Sequence, residues 1–161
     1  MDVSLFLADE AATGQLGACL ARHLPERAVV HLHGDLGAGK STLARALLRA
    51  LGVVGTIRSP TYTLVEQYPL PQGGLALHLD LYRIADSGEL EFLGLDPADA
   101  RLWLVEWPER GAGALPAADL EVLLSLEGEG RRCTLRPLSA VGTGWLAAAR
   151  GDACAQILPP P

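Results

Sequence analysis

Lysine is almost missing from this sequence: of its thirteen Lys and Arg residues, twelve are Arg, and Lys40 is the one lysine. Cysteine is sparse as well. Cys19, Cys133 and Cys154 are odd in number, widely spaced and form no CxxC pair, which predicts buried or idle thiols and a reducing, cytoplasmic setting. No apolar run approaches membrane-spanning length, and the N-terminus lacks a basic segment followed by an apolar one, so no membrane association is expected. An excess of positive charge is also absent. A net charge of −6 and a pI near 5.1 argue against a broad phosphate-tracking surface, hence against extensive direct nucleic-acid binding. At 161 residues, 49% hydrophobic and 20% charged, the chain has the balance of one globular domain. Residues 1–150 are read as that domain, and 151–161, ending in three prolines, as a flexible tail.

The rare lysine stands in the most informative stretch. His33-Gly34-Asp35-Leu36-Gly37-Ala38-Gly39-Lys40-Ser41-Thr42 contains Gly, four residues, then Gly-Lys-Ser, the pattern of a phosphate-binding loop. The apolar run Ala28 to Leu32 precedes it as a strand, and a helical pattern follows it. That context matters because loop N–H groups and a helix N-terminus must converge on phosphate oxygens. Glycines permit the torsions and the close approach. A compact ammonium enters such a cradle where a flat guanidinium fork is too wide, which explains a lysine in an arginine-rich chain. Lys40 is therefore expected to reach the outer phosphates, and Ser41 to offer its hydroxyl to Mg²⁺.

Around the loop, the pattern predicts a strand at Ser4–Leu7, a helix capped by Asp9 and running to about Leu24, and a helix ending near Leu51 before Gly52. Strands at 63–68 and 75–80 flank an irregular hairpin loop, a short helix covers 86–93, and Leu102–Val105 reads as a strand buried on both faces. A second hairpin joins strands at 120–127 and 133–138, and a last helix spans 143–149. The sum is an α/β fold: a mostly parallel central sheet with helices on both faces plus antiparallel hairpins. Its phosphate loop sits at the carboxyl ends of the strands.

A triphosphate site needs carboxylates. Glu106 follows the strand Leu102–Val105, where phosphate-loop proteins put the metal-organising acid, and Asp80 ends the strand at 75–80. Thr61, beside Pro60 and twenty residues beyond Ser41, has two readings from its spacing: a switch on the γ-phosphate or an ordinary turn threonine. His31, His33 and His78 are read as sheet histidines and not as a metal site, Asp35 as a turn residue, and Arg131 with Arg132 as a solvated pair at a hairpin tip.

Four ordered blocks resemble one family, the bacterial TsaE (YjeE) phosphate-loop ATPases of tRNA threonylcarbamoyladenosine synthesis. They are Gly34–Lys40, Ser59-Pro60-Thr61-Tyr62-Thr63-Leu64-Val65, His78-Leu79-Asp80-Leu81-Tyr82-Arg83, and Leu104-Val105-Glu106-Trp107-Pro108, and the resemblance runs from about Leu5 to Ala149. It implies an ATP- and Mg²⁺-dependent ATPase that supports turnover of a complex with the TsaD and TsaB proteins and meets tRNA through that complex. Carried over, Lys40 binds phosphate, Ser41 and Glu106 hold Mg²⁺, Thr61 belongs to the switch-like loop, and Asp80 is a catalytic candidate. Thr13 and Arg131 lie near the nucleotide. The family usually has Thr where Ser41 stands, and the tail beyond Ala149 has no counterpart. Two other readings remain open at this point: a small-molecule kinase, although no Arg-rich lid segment is visible, and a nucleotide-gated interaction protein with negligible catalysis.

Overall fold

Strand alternation assigns the two faces of the sheet. In strand β2 (Ala28–His33), Ala28, Val30 and Leu32 turn to one side and are buried, while Val29, His31 and His33 turn to the other. A computed structural model of the chain describes residues 1–60, 63–93, 100–152 and 157–159. It places β2 between β5 (Ala100–Glu106) and β6 (Leu120–Glu127), parallel to both. Strand β4 (Leu75–Asp80) adds a third parallel pairing on β5. Antiparallel partners complete the edges: β3 (Val65–Pro69) on β4, and β7 (Gly130–Pro137) then β1 (Val3–Leu7) beyond β6. The order is β1-β7-β6-β2-β5-β4-β3.

Helices α1 (Glu10–Arg22), α2 (Lys40–Ala50) and α3 (Ala140–Arg150) gather over the face that carries Val30, Leu32, Leu104 and Val122. The helices α1 and α2 approach closely at Gly17, where a Cβ would stand 2.7 Å from that of Ala46 and 2.9 Å from the amide of Leu47. The opposite face, with Leu77, Leu79, Trp103 and Val105, is covered by Leu81, Ile84, Leu90 and Leu115, from the 3-10 turn Ser87–Leu93 and its neighbouring loops. Helical segments thus cover both faces, α on one and 3-10 on the other.

Local chemistry explains the element ends. Asp9 caps α1 by accepting from the Ala12 amide at 2.9 Å. Ser139 caps α3 from the Gly142 amide at 3.1 Å, so that helix begins earlier than the expected 143. Strand β3 begins at Val65 because Leu64 takes a left-handed backbone, φ 67°. In the tail, Leu158 is buried in the helix-side core and Arg150 Nε donates to the Pro159 carbonyl at 3.0 Å. Cys133 is a free thiol whose burial pushes its pKa up to about 12, whereas Cys19 is disulfide-bonded and not idle. Among the described residues no helix is long and apolar enough to cross a membrane.

Candidate functional site

The loop between β2 and α2 is built from backbone that side chains would obstruct. Gly34 has φ 151°, and a Cβ there would stand 2.6 Å from the Leu124 carbonyl oxygen on β6. Gly37 and Gly39 have φ 82° and 106°, the left-handed region that favours glycine. The turn is closed by the Ala38 amide donating to the Asp35 carbonyl at 3.1 Å. Helix α2 starts on Gly39 with no side-chain cap, so its first amides are left to whatever lies before them. An anion suits that position, through both the open N–H groups and the helix dipole.

Lys40 is only 5% exposed. Its Nζ donates to the carbonyls of Gly34 and Asp35, inside its own loop, and lies 4.6 Å from the ring centroid of Trp107. Trp107 owes that position to a left-handed backbone, φ 57°, directly after Glu106. The next aromatic in line is Tyr82, with ring centroids 5.0 Å apart.

Two acids close the far wall. Glu106 and Asp80 are 3% and 6% exposed and are register partners at the carboxyl ends of β5 and β4. Ser41 Oγ donates to Glu106, 3.1 Å from each carboxylate oxygen, and His78 Nε2 lies 2.6 Å from Glu106 Oε2. Asp80 Oδ1 accepts from the Tyr82 amide at 3.0 Å, and its own amide donates to the carbonyl of Leu64 at 3.0 Å. The hydroxyl of Ser41 and the carboxylate of Glu106, joined to each other, are hard oxygen donors of the kind that suits Mg²⁺. Among the described residues no cluster of His, Cys, Asp and Glu forms a ready-made metal cage.

Arg131, at the start of β7, reaches across to the loop. Its Nε donates to the Ala38 carbonyl at 3.1 Å, and Nη2 donates to that of Gly37 at 3.1 Å. The expected solvated pair is therefore split: Arg131 straps the loop, while Arg132 pairs with Glu127 at 2.7 Å. Lys40, Ser41, Asp80, Glu106, Trp107 and Arg131 border one pocket of about 560 Å³. Thr13, Leu36, Gly37, Gly39, Lys40, Ser41, Thr42, Asp80, Glu106 and Arg131 line it. Gly34, Asp35 and Ala38 shape the loop behind that lining through their carbonyls. Thr61 lies outside the described residues. Tyr82, Trp107, Glu10 and Glu129, not among the expected site residues, also line the pocket. Trp107 carried a signal, since it follows the strand-end acid immediately. Tyr82 stands two residues after the other strand-end acid, Asp80, in a block that carries the resemblance, whereas Glu10 and Glu129 are brought in only by the fold.

His31 and His33 point away from the pocket, on the opposite face of the sheet from His78. His33 Nε2 lies 3.0 Å from Glu121 Oε2. His78 is fully buried and in direct contact with Glu106, a role its place in an apolar strand did not reveal.

The family model "Threonylcarbamoyl adenosine biosynthesis protein TsaE" matches residues 7–134. The chain is 42% identical to the tRNA threonylcarbamoyladenosine biosynthesis protein TsaE of Haemophilus influenzae, over 80% of this chain and 82% of that one. It is 36% identical to the protein of the same name from Nostoc sp., over 84% of this chain and 91% of that one. Its fold is similar to the crystal structure of Bacillus subtilis YdiB, with a TM-score of 0.74 at 21% identity, covering 94% of this chain and 95% of that one.

Proposed function

The chain belongs to the TsaE family of threonylcarbamoyl adenosine biosynthesis proteins, and from that premise we propose that it is a Mg²⁺-dependent ATPase. In this reading it supports turnover of a tRNA-modifying complex with the TsaD and TsaB proteins and meets tRNA only through them. The observation that carries the proposal is the convergence on one pocket of an uncapped helix start, Lys40, and the pair Ser41–Glu106. Phosphates fit the loop amides, and Ser41 with Glu106 would hold the cation. Bound there, Mg²⁺ supplies charge neutralisation at the phosphate oxygens.

The chain's own residues then divide the work. Lys40 exchanges its two loop carbonyls for phosphate oxygens, which replaces two neutral acceptors by charged ones. Ser41 turns from its present acceptor, Glu106, and both groups offer oxygens on the same side of the pocket. Asp80, beside Glu106 but outside its hydrogen bonds with Ser41 and His78, is the candidate to orient the attacking water. Thr13 and Arg131 line the pocket and are assigned to the nucleoside side, and the family resemblance assigns Thr61 to the switch-like segment on the γ-phosphate.

Fast hydrolysis at a phosphate loop generally needs a cation on the transition-state charge, worth ~10³–10⁵ in rate. Of the two cations that line the pocket among the described residues, Lys40 is assigned to the phosphates already bound in the ground state and Arg131 is engaged with loop carbonyls. Slow turnover alone and acceleration by TsaB–TsaD are expected. Phosphate release is to be measured with ATP alone, with candidate acceptors, and with the TsaB–TsaD pair, for wild type and Thr61→Ala. Fast release by the lone chain, indifferent to partners, would sink the proposal; transfer to an acceptor would favour a kinase.

A further inference from the structure

The buried pair His78–Glu106 is not needed to complete the fold. Strand β4 otherwise reads Leu75-Ala76-Leu77, then Leu79, before ending in Asp80, and position 78 is fully buried on the helix-side face. An apolar side chain of similar volume would satisfy that core. The histidine instead leaves Nδ1 buried with no hydrogen-bond partner among the described residues, which is unfavourable. Residues that break a local rule in this way mark functional positions.

We propose that His78 is a positioning residue that fixes the carboxylate of Glu106 for the metal-organising role given above, and the inference rests on that reading. The strand register makes the contact possible. His78 pairs with Leu104 and Asp80 with Glu106, so His78 and Glu106 are diagonal neighbours on one face of a parallel pair. Both side chains are almost wholly out of water, at 0% and 4% exposure. A carboxylate only accepts, so the proton of the contact sits on Nε2 and is donated to Oε2 at 2.6 Å. Ser41 Oγ lies 3.1 Å from both oxygens, whereas His78 touches Oε2 alone. The imidazole therefore selects one rotamer of Glu106 and leaves Oε1 facing Ser41 and the pocket. It acts as outer-sphere partners of metal ligands do, by orienting the ligand. Because β4 also carries Asp80 two residues on, one strand aligns one acid and supplies the other.

The test is the Mg²⁺ dependence of ATP binding, measured calorimetrically with Mg²⁺ and with a chelator. His78→Leu is expected to weaken the affinity of the ATP-bound protein for Mg²⁺ ~10–100-fold, the range for losing such a partner. Its chelated ATP affinity should stay at the wild-type value. His78→Gln, which keeps an N–H donor, is expected to recover most of the loss. A Leu variant with wild-type Mg²⁺ dependence, or a Gln variant no better than Leu, overturns this inference while leaving the proposed function standing. A wild type whose ATP affinity ignores Mg²⁺ overturns both. Should His78→Leu fail to fold, ¹⁵N spectra of the wild-type histidines decide: the Nε2-protonated tautomer with a resonance that shifts when Mg²⁺ is added to the ATP-bound protein supports the inference. The Nδ1-protonated tautomer, or a resonance indifferent to Mg²⁺, contradicts it.

Discussion

Asp80 and Glu106 stand side by side as register partners at the carboxyl ends of β4 and β5, yet they hold different hydrogen bonds. Glu106 accepts from Ser41 and His78, while Asp80 Oδ1 accepts from the Tyr82 amide. Neighbouring carboxylates with different partners can take different tasks. Glu106→Gln is expected to weaken Mg²⁺ affinity and to cut hydrolysis, because it replaces an acceptor on the Ser41 side with an amide. Asp80→Asn is expected to leave nucleotide and Mg²⁺ bound and to slow hydrolysis ~10²–10⁴-fold. Mg²⁺ titrations and turnover on both variants check this division. Equal losses of Mg²⁺ affinity would contradict it.

The strap across the loop gives a second expectation. Arg131 is the one side chain among the described residues that donates to both the Gly37 and Ala38 carbonyls. Removing hydrogen bonds of charged donors costs about 1.5–3 kcal/mol apiece at most, less where water replaces them. Arg131→Met should therefore loosen the loop and weaken ATP binding by about tenfold, with the fold kept. Arg131→Lys should rescue poorly, because a single ammonium does not reproduce the guanidinium fork. Calorimetric affinities for the three proteins are the measure, and unchanged binding by Arg131→Met would show the strap to be dispensable.

The parallel core and the loop were legible because their signals are local. A continuous apolar run marks β5, and the glycine spacing before Lys40 marks the cradle. Boundaries shifted where a single torsion or cap decides them, as at Leu64 and Ser139. The rest depends on contacts between residues far apart in the chain. Arg131 meets Ala38 only because β7 and β6 bring the hairpin over the loop, and His78 meets Glu106 only through the β4–β5 register. Nothing in the neighbourhood of either residue announces its partner. The resemblance to the TsaE family supplied Arg131 as a candidate, but the geometry of its strap came from the fold.

A pH dependence follows from the other face of the sheet. Burial and the neighbouring His33 hold His31 below its ordinary value of 6.5, against the opposing pull of the Pro116 carbonyl, Glu121 and Glu109. The unfolded chain takes up this proton near 6.5 and the folded chain only at lower pH, so the contribution is lost as pH falls below 6.5. The slope for one proton is at most about 1.4 kcal/mol per pH unit. Urea midpoints at pH 7.5 and 5.5 should drop more for wild type than for His31→Gln. Equal drops would remove His31 from the acid response.

The central claim is that the pocket at the head of α2 holds ATP through Lys40. The most direct measurement is a calorimetric titration of ATP, with Mg²⁺ present, into wild type and Lys40→Ala, with circular dichroism on both. Wild type should bind, and the variant should keep its fold while losing ~10²-fold or more in affinity, the scale of removing a charged donor from phosphate. A folded Lys40→Ala protein that binds ATP as tightly as wild type would contradict the account.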